Sequence, residues 1–251
     1  MTPRRIGGAL VWAVCTLGSG AQAQPPACPL PAHLAELPLV ELPAPVDRGA
    51  SLAVLVSGDG GWASLIRAAG DALAARGVPV VGLNSLRYFW TRRTPEGASH
   101  DLEAIVRHYL DCWKKQRIVL VGYSLGADVL PFMVRRLPPD LLEQIEAIVL
   151  VGPARSVDFK FHVMSNWLGG AEPDTSLPVL PEIHALAGRN LTCIYGAEEQ
   201  DSSCPALEPG LAKLVVLDGG HHFGGDRETA IRAILAAAGV AEPQVRAGGN
   251  R

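Results

Sequence analysis

The chain has 251 residues, of which 48% are hydrophobic, and a formal net charge of -3. This length suits a single α/β domain with one sizeable core. The near-neutral charge, without any run of five or more basic residues, gives no reason to expect a nucleic-acid partner.

The first residues have the pattern of an export signal. Arg4 and Arg5 form a positive n-region, residues 6–17 a mostly apolar h-region, and Ala21-Gln22-Ala23 an A-x-A cleavage site. We therefore expect residues 1–23 to be a signal peptide and the mature protein to be exported. The alternative is an uncleaved membrane anchor, but the apolar run is shorter than the ~20 residues that a span needs.

Residues 24–48 are rich in proline and are interpreted as an extended segment, within which 37–42 can form an edge strand. From 49 to 240 short apolar strands alternate with amphipathic helices, which predicts a mostly parallel sheet covered on both faces. The predicted strands are 51–57, 78–83, 117–122, 145–152, 191–195 and 213–217, and the predicted helices 62–76, 99–114 with Ser99 as its N-cap, 125–137 and 226–238. We expect 241–251 to be a frayed tail.

Residues 153–186 interrupt this alternation between two strands. Apolar residues are set among polar ones there, Trp167 included. In an α/β topology such an insertion lies above the carboxyl edge of the sheet, where it would form a lid or a wall for an acyl group. The alternative is an added element whose apolar face completes the core, and the two interpretations are compatible.

Four cysteines follow the signal segment, Cys28, Cys112, Cys193 and Cys204. An even number in an exported protein suggests disulfides, for which three pairings exist. Cys193 and Cys204 are close in sequence and flank an acidic loop, so we favour this pair, which leaves Cys28 with Cys112 to tie the N-terminal segment to the body. The alternative is buried free thiols.

The pentapeptide Gly122-Tyr123-Ser124-Leu125-Gly126 directly follows the apolar run 117–121. It has the G-x-S-x-G form of a nucleophile elbow, a strained strand-to-helix turn that presents a serine hydroxyl above a parallel sheet. The glycines leave room where strand, helix and substrate come close together. We therefore interpret Ser124 as a catalytic nucleophile on an α/β-hydrolase fold.

The acid that orients the base is expected on an acidic loop. A serine nucleophile needs a base, and in α/β-hydrolases the chain order is Ser, then Asp or Glu, then His. After the strand that ends near Gly196 come Glu198, Glu199 and Asp201. Glu199 has the usual spacing of three residues from Gly196, so we favour Glu199 and keep Asp201 as the alternative. The remaining acids are interpreted as a solvated charge run.

The base is expected to be one of two adjacent histidines. His221 and His222 follow the last predicted strand in a glycine-rich turn. The pattern Gly-His-x-Phe selects His221, which we favour, whereas a shift of one residue selects His222. The histidine that is not the base would line the pocket or bond the loop. Two solvated turn histidines are the structural alternative.

An oxyanion hole needs two backbone N–H groups directed at the developing negative charge. One is expected from Leu125, the residue after the nucleophile, and the other from Asp59 or Gly60 in the glycine-rich loop 57–62. This loop lacks the spacing and the lysine of a phosphate-binding P-loop. Because neither metal-ligand spacing nor a dinucleotide fingerprint is found, no metal and no cofactor are expected.

Three segments resemble the VirJ family of bacterial virulence proteins, which includes the VirJ-like domain of AcvB. They are VSGDGGW at 56–62, GLNSLRYFW at 82–90 and GYSLGADV at 122–129, and the turn 220–223 agrees with them. The resemblance covers about residues 51–238. It implies a periplasmic serine hydrolase, and family members are associated with hydrolysis of aminoacyl-phosphatidylglycerol, notably its lysyl form, and with type IV secretion.

The resemblance also suggests which residues meet the substrate. A cationic aminoacyl group favours a carboxylate, for which Asp59 and Asp128 are candidates, and Arg87 is a candidate for the lipid phosphate. The structural alternatives are that Asp128 braces the helix after the elbow and that Arg87 pairs with a core carboxylate. We add Trp167 of the insertion as a substrate contact and expect the protein to meet a membrane surface.

Other functions are compatible with these residues. A broader carboxylesterase or thioesterase would use the same serine, acid and histidine. A different class is a non-catalytic periplasmic binding or assembly factor for type IV secretion, which reuses the fold without its chemistry.

Overall fold

The computed structural model describes residues 28–160 and 175–240. The signal segment, Trp167 and the tail lie outside these residues. The described strands are β1 (Leu39–Leu42), β2 (Ser51–Val56), β3 (Val80–Leu83), β4 (Arg117–Tyr123), β5 (Ile145–Val151), β6 (Ser156–Val157), β7 (Leu177–Pro178), β8 (Leu191–Gly196) and β9 (Lys213–Leu217). The described helices are α1 (Ala32–Ala35), α2 (Ser64–Ala75), α3 (Ser85–Tyr88), α4 (Pro95–Cys112), α5 (Leu125–Arg135), α6 (Pro139–Gln144), α7 (Leu180–His184) and α8 (Arg227–Ala237).

Seven of these strands form one sheet in the order β1-β3-β2-β4-β5-β8-β9. β1 is antiparallel to β3 and forms an edge strand as the proline-rich segment predicts, whereas the other six strands are parallel. The carboxyl ends of the six parallel strands therefore share one edge of the sheet, which is where α/β proteins bind ligands. β4, the strand before Ser124, lies at the centre.

The core fills both faces of the sheet, as nearly all-apolar strands predict. On one face α4, α5 and α7 pack against alternate strand residues such as Val54 and Leu120. On the opposite face α2 and α8 pack against Leu55 and Val121. Each such fully buried side chain contributes about 1.5–3 kcal/mol relative to an exposed one, so burial on both faces fixes the central strands.

Helix α4 differs from its predicted start. The prediction that Ser99 is its N-cap is wrong, because the helix begins at Pro95 and the Thr94 Oγ1 accepts the Gly97 N–H at 3.0 Å. Ser99 is buried inside the helix and donates its hydroxyl to the Met133 carbonyl oxygen at 2.8 Å. Every other predicted strand and helix is present within two residues of its predicted ends.

The described parts of the 153–186 insertion form β6, β7 and α7. β6 and β7 pair antiparallel, and Phe159 is buried with its ring centroid 5.3 Å from that of Phe132 on α5. The insertion therefore adds to the core, as one of its two interpretations predicts, and the lid remains a prediction.

Both favoured disulfides are present, Cys28–Cys112 and Cys193–Cys204. The first joins the N-terminal segment to the end of α4, and the second joins β8 to a 3-10 helix at Cys204–Ala206. Disulfides are typical of exported proteins. Among the described helices, none has the length and apolar character needed to cross a bilayer.

Candidate active site

Ser124 occupies the turn between β4 and α5 with φ +52° and ψ -123°. A positive φ is uncommon for a residue with a side chain, and strain of this kind concentrates at functional sites. The backbone N–H of Ser124 donates to the Val151 carbonyl oxygen at 2.8 Å, which ties the turn to the adjacent strand β5. The serine hydroxyl is thus held at the carboxyl edge of the central strand.

The two glycines of the pentapeptide are required by close approach. A Cβ on Gly126 would lie 2.1 Å from the Val56 carbonyl oxygen, and a Cβ on Gly122 would lie 2.5 Å from the Gly126 carbonyl oxygen. Neither distance is possible for real atoms, and the obstacles are backbone atoms. α5 can therefore start against β2 and β4 only with glycine at both positions.

His221 and Glu199 lie next to Ser124 in a continuous hydrogen-bonded series. The Ser124 Oγ is 2.9 Å from the His221 Nε2, and the His221 Nδ1 bonds the Glu199 Oε1. Glu199 follows β8 and His221 follows β9, so three strand ends bring the groups together. With the proton on Nδ1 donated to the carboxylate, Nε2 is free to accept the serine hydroxyl proton.

The Glu199 carboxylate is fixed and shielded. Its side chain is only 7% exposed, and its Oε2 accepts the Gly196 N–H at 3.2 Å. The hydrogen bond from His221 to this carboxylate is the main reason that the pKa of His221 is raised. The imidazole is therefore a stronger base than a free histidine.

Gly152, which the sequence analysis did not single out, makes this arrangement possible. It follows β5 with φ +62°, and a Cβ there would lie 2.9 Å from the His221 Cε1 and 3.3 Å from the Glu199 Oε1. The only signal in the sequence is a glycine at the end of a predicted strand.

The alternative residues lie elsewhere. The His222 Nδ1 is 3.0 Å from the Tyr123 Oη, and its side chain is exposed. Glu198 and Asp201 are also exposed. Among the described residues, no hydrogen bond joins His222 to Ser124 or Asp201 to His221. The structure thus brings His221 and Glu199 to the serine.

The loop after β2 approaches the serine closely. A Cβ on Gly58 would lie 3.2 Å from the Ser124 Cβ. The backbone N–H groups of Leu125, Asp59 and Gly60 donate to no acceptor among the described residues. These are the groups that the sequence predicts for an oxyanion hole.

A cavity of about 270 Å³ opens beside Ser124, lined also by Asp59, Leu125, Asp128, Ser156, Val157, Asp158 and Lys160. We call it the acidic cavity. Asp128 lies one helical turn after Ser124, is 7% exposed, and accepts the Ala154 N–H at 2.6 Å. Burial raises its pKa to about 7, an effect that this hydrogen bond and His221 partly oppose. Asp59, the other candidate carboxylate for a cationic acyl group, is exposed.

Arg87 lies on α3 with its side chain exposed and does not line the acidic cavity. Trp167 is outside the described residues. In the described part of the chain, no group of three or more His, Cys, Asp or Glu side chains is arranged to hold a metal ion.

Comparison with known proteins gives one family and many similar structures. The family described as bacterial virulence protein (VirJ) matches residues 50–241. No curated protein matches the chain.

Three solved structures illustrate the likeness. XC6422 from Xanthomonas campestris, described as an α/β serine hydrolase without a lid, is 17% identical over 82% of this chain and 89% of its own, with a TM-score of 0.51. Est1E from Butyrivibrio proteoclasticus is 14% identical over 78% and 89%, with a TM-score of 0.56. The Pyrococcus furiosus esterase Pf2001 is 18% identical over 82% and 92%, with a TM-score of 0.54. At these identities they establish the α/β-hydrolase fold.

Proposed function

Because this chain belongs to the VirJ family of bacterial virulence proteins, we propose that it is a periplasmic serine hydrolase that cleaves the aminoacyl ester of aminoacyl-phosphatidylglycerol. Ser124 is the nucleophile, His221 the base and Glu199 the acid that orients it. The observation that carries the proposal is the 2.9 Å contact between the Ser124 Oγ and the His221 Nε2, with Glu199 bonded to the opposite nitrogen.

The reaction proceeds in two steps, formation of an aminoacyl-enzyme and its hydrolysis. The Ser124 Oγ attacks the ester carbonyl carbon while the His221 Nε2 takes the hydroxyl proton. The bond from this carbon to the glycerol oxygen then breaks, and His221 returns the proton to that oxygen, which releases phosphatidylglycerol. Water, deprotonated by His221, next attacks the aminoacyl-serine, and the proton returns to the Ser124 Oγ as the amino acid leaves.

The negative oxygen of each tetrahedral intermediate is stabilised by the Leu125 N–H and by the Asp59 or Gly60 N–H. These groups have no acceptor among the described residues, so no described protein group competes with the oxyanion for them. Fixed donors of this kind are the largest single contribution to catalysis in many enzymes.

The acidic cavity supports an amino acid as the acyl group. Every amino acid carries an α-ammonium, and the lysyl form carries a second cation on its side chain. Asp59 and Asp128 line the cavity next to Ser124. Trp167 remains a predicted substrate contact.

The decisive experiment incubates the protein with lysyl-, alanyl- and unmodified phosphatidylglycerol and analyses the lipids. We expect loss of the aminoacyl lipids, release of the amino acid, and no change in unmodified lipid. Covalent labelling by a fluorophosphonate should be lost in Ser124→Ala. A non-catalytic assembly factor predicts neither labelling nor lipid turnover, whereas a broader esterase predicts labelling without preference for aminoacyl lipids.

Charge recognition is tested separately with Asp59→Asn. We expect this variant to lose about tenfold in hydrolysis of the lysyl lipid and much less on a neutral ester, because only the cation interacts with the carboxylate. Equal losses on both substrates would reject the assignment of Asp59.

A further inference from the structure

A second cavity of about 340 Å³ lies beside the reacting residues and shares no described lining residue with the acidic cavity. Its lining is Ser64, Leu65, Tyr123, His222, Phe223, Gly225 and Arg227, and we call it the histidine-side cavity. It is bordered by the starts of α2 and α8, which pack on one face of the sheet. The acidic cavity is bordered by α5 and β6, whose residues pack on the opposite face. Ser124 lines the acidic cavity, whereas Tyr123 and His222, the chain neighbours of Ser124 and His221, line the histidine-side cavity. The two cavities thus lie above opposite faces of the sheet.

The two cavities differ in charge. Three acidic side chains and one lysine line the acidic cavity. Asp158 is paired with Arg92 at 3.0 Å, so Asp59 and Asp128 are the acids that face a cationic acyl group. The described lining of the histidine-side cavity has no carboxylate and offers the Arg227 guanidinium, the His222 imidazole and the hydroxyls of Ser64 and Tyr123.

The Arg227 side chain is available to a ligand. It is exposed and makes no hydrogen bond or ion pair with the described residues. The acids on either side of it are engaged within α8, since Asp226 accepts the Thr229 N–H at 3.0 Å and Glu228 pairs with Arg232 at 2.7 Å. A guanidinium without a carboxylate partner is suited to a phosphate.

The chemistry places the leaving alcohol on the histidine side. His221 must return a proton to the glycerol oxygen, so the alcohol has to lie against this imidazole. The Tyr123 ring stacks on His221 with centroids 5.9 Å apart, and the Tyr123 Oη lies 3.0 Å from the His222 Nδ1. Tyr123 therefore contacts both His221 and His222, and Tyr123 and His222 both line the histidine-side cavity.

We propose that the histidine-side cavity is the subsite for the phosphodiester of the leaving alcohol, with Arg227 as its cationic ligand. The inference rests on the proposed function and extends it, because the substrate has an ammonium on the acyl side of the ester and a phosphate on the alcohol side. The two cavities match that order of charge. Arg227 thereby replaces Arg87 as the phosphate contact, since Arg87 lines neither cavity.

The test compares two esters of lysine with the wild type, Arg227→Gln and the matched control Arg87→Gln. One substrate is a short-chain lysyl-phosphatidylglycerol dissolved without vesicles, and the other is lysine methyl ester, which has the same acyl group and no phosphate. We expect Arg227→Gln to lower kcat/KM about tenfold on the lipid and less than about twofold on the methyl ester, with Arg87→Gln changing neither.

Several results would overturn the subsite. They are an equal loss of kcat/KM on both esters in Arg227→Gln, no loss in this variant, or a loss on the lipid in Arg87→Gln instead. A loss that is seen only when vesicles are added would make Arg227 a membrane contact. Melting temperatures equal to that of the wild type show that both variants fold.

A binding measurement separates this proposal from the proposed function. Calorimetry with Ser124→Ala measures binding of glycerophosphoglycerol, the headgroup of the product, without any turnover. We expect saturable binding that is lost when Arg227→Gln is added, and absence of binding in Ser124→Ala contradicts the subsite. A wild type that turns over neither ester contradicts the hydrolase instead.

Discussion

At the scale of single residues, Ser124 has a strained backbone, and its hydroxyl is hydrogen-bonded to His221. Positive-φ conformations of this kind cost on the order of 1–3 kcal/mol, which the surrounding turn has to supply. Glycines at 122 and 126 and the hydrogen bond to Val151 hold the conformation. The position of the hydroxyl is therefore set by packing that exists before any substrate binds.

Glu199→Gln tests how His221 is tuned. The carboxylate raises the pKa of His221, so its loss should lower that pKa and move the acid limb of the rate profile to lower pH. The sign follows because the base must be neutral and activity is lost as pH falls through its pKa. We also expect kcat to fall roughly 10³- to 10⁴-fold, since the imidazole loses its orientation.

The matched control for that measurement is Glu198→Gln, which removes an exposed carboxylate one residue away. Its pH–rate profile should coincide with that of the wild type. If both substitutions shift the pH–rate profile equally, the negative charge of the acidic loop as a whole, and not the hydrogen bond to His221, raises the pKa of the base.

Asp128→Asn should stabilise the protein at high pH. The folded pKa of about 7 exceeds the ordinary 3.8, so the stability linked to the protonated carboxyl is complete below about pH 4 and is lost as pH rises through 7. Asparagine is neutral throughout and can still accept the Ala154 N–H. The difference between the two pKa values corresponds to about 4 kcal/mol, and we expect a rise in Tm of several degrees at pH 8 and a smaller one at pH 5.

Asp59→Asn is the control for stability, because Asp59 is exposed and its charge is already solvated. Thermal unfolding at both pH values should leave its Tm unchanged. A Tm of Asp128→Asn that is lower at pH 8 than that of the wild type would show that the ionised carboxylate stabilises the fold.

At the scale of elements, the strand ends determine the site. β4, β8 and β9 each end one to four residues before Ser124, Glu199 or His221, so the parallel register of the sheet brings together groups far apart in the chain. The Cys193–Cys204 disulfide closes the loop that contains Glu199. The position of the acid thus depends on a covalent bond as well as on packing.

Replacing both Cys193 and Cys204 by alanine should impair the site. We expect slower labelling of Ser124 by a fluorophosphonate and a loss of about 2–3 kcal/mol in the free energy of unfolding, because the freed loop no longer holds the carboxylate against His221. Stopped-flow labelling and denaturant titration measure the two effects. Unchanged labelling would show that the Gly196 N–H and the strand end suffice to fix Glu199.

The alternation of apolar strands and amphipathic helices predicted the central elements, because burial on both faces leaves a pattern in the sequence. It did not predict α3, α6 and α7, which are four to six residues long and too short for a periodic signal. The start of α4 was missed because Thr94-Pro95 caps the helix before its apolar face begins.

The sequence placed candidate residues at the carboxyl edge and left two choices open. Which of two adjacent histidines reaches Ser124 depends on the backbone of the turn after β9, and residue spacing does not determine it. The same holds for Glu199 and Asp201. The role of Gly152 has no sequence motif, because it depends on close contact with His221 and Glu199, which follow β9 and β8.

At the scale of the whole molecule, one covalent link joins the N-terminal segment to the body. Cys28–Cys112 spans 84 residues and lies at the end of α4. Replacing both cysteines by alanine should lower the free energy of unfolding by about 2–4 kcal/mol and the Tm by about 5–15 °C. Calorimetry measures the change.

Labelling of Ser124 should be unaffected by that replacement, which makes the Cys28–Cys112 variant the matched counterpart of the Cys193–Cys204 variant. Both remove one disulfide, but only the second frees the loop that holds Glu199. Equal loss of labelling in the two variants would mean that stability alone controls the reactivity of the serine.

The disulfide between Cys193 and Cys204 affects when the protein becomes active after its synthesis. Under the proposed export of the chain, its thiols stay reduced in the compartment where it is synthesised, so the loop that carries Glu199 has no disulfide there. The newly made enzyme would be latent, and oxidation after export would complete its maturation. Under the proposed function, aminoacyl lipids would thereby be protected from the hydrolase until the chain has left the cytosol.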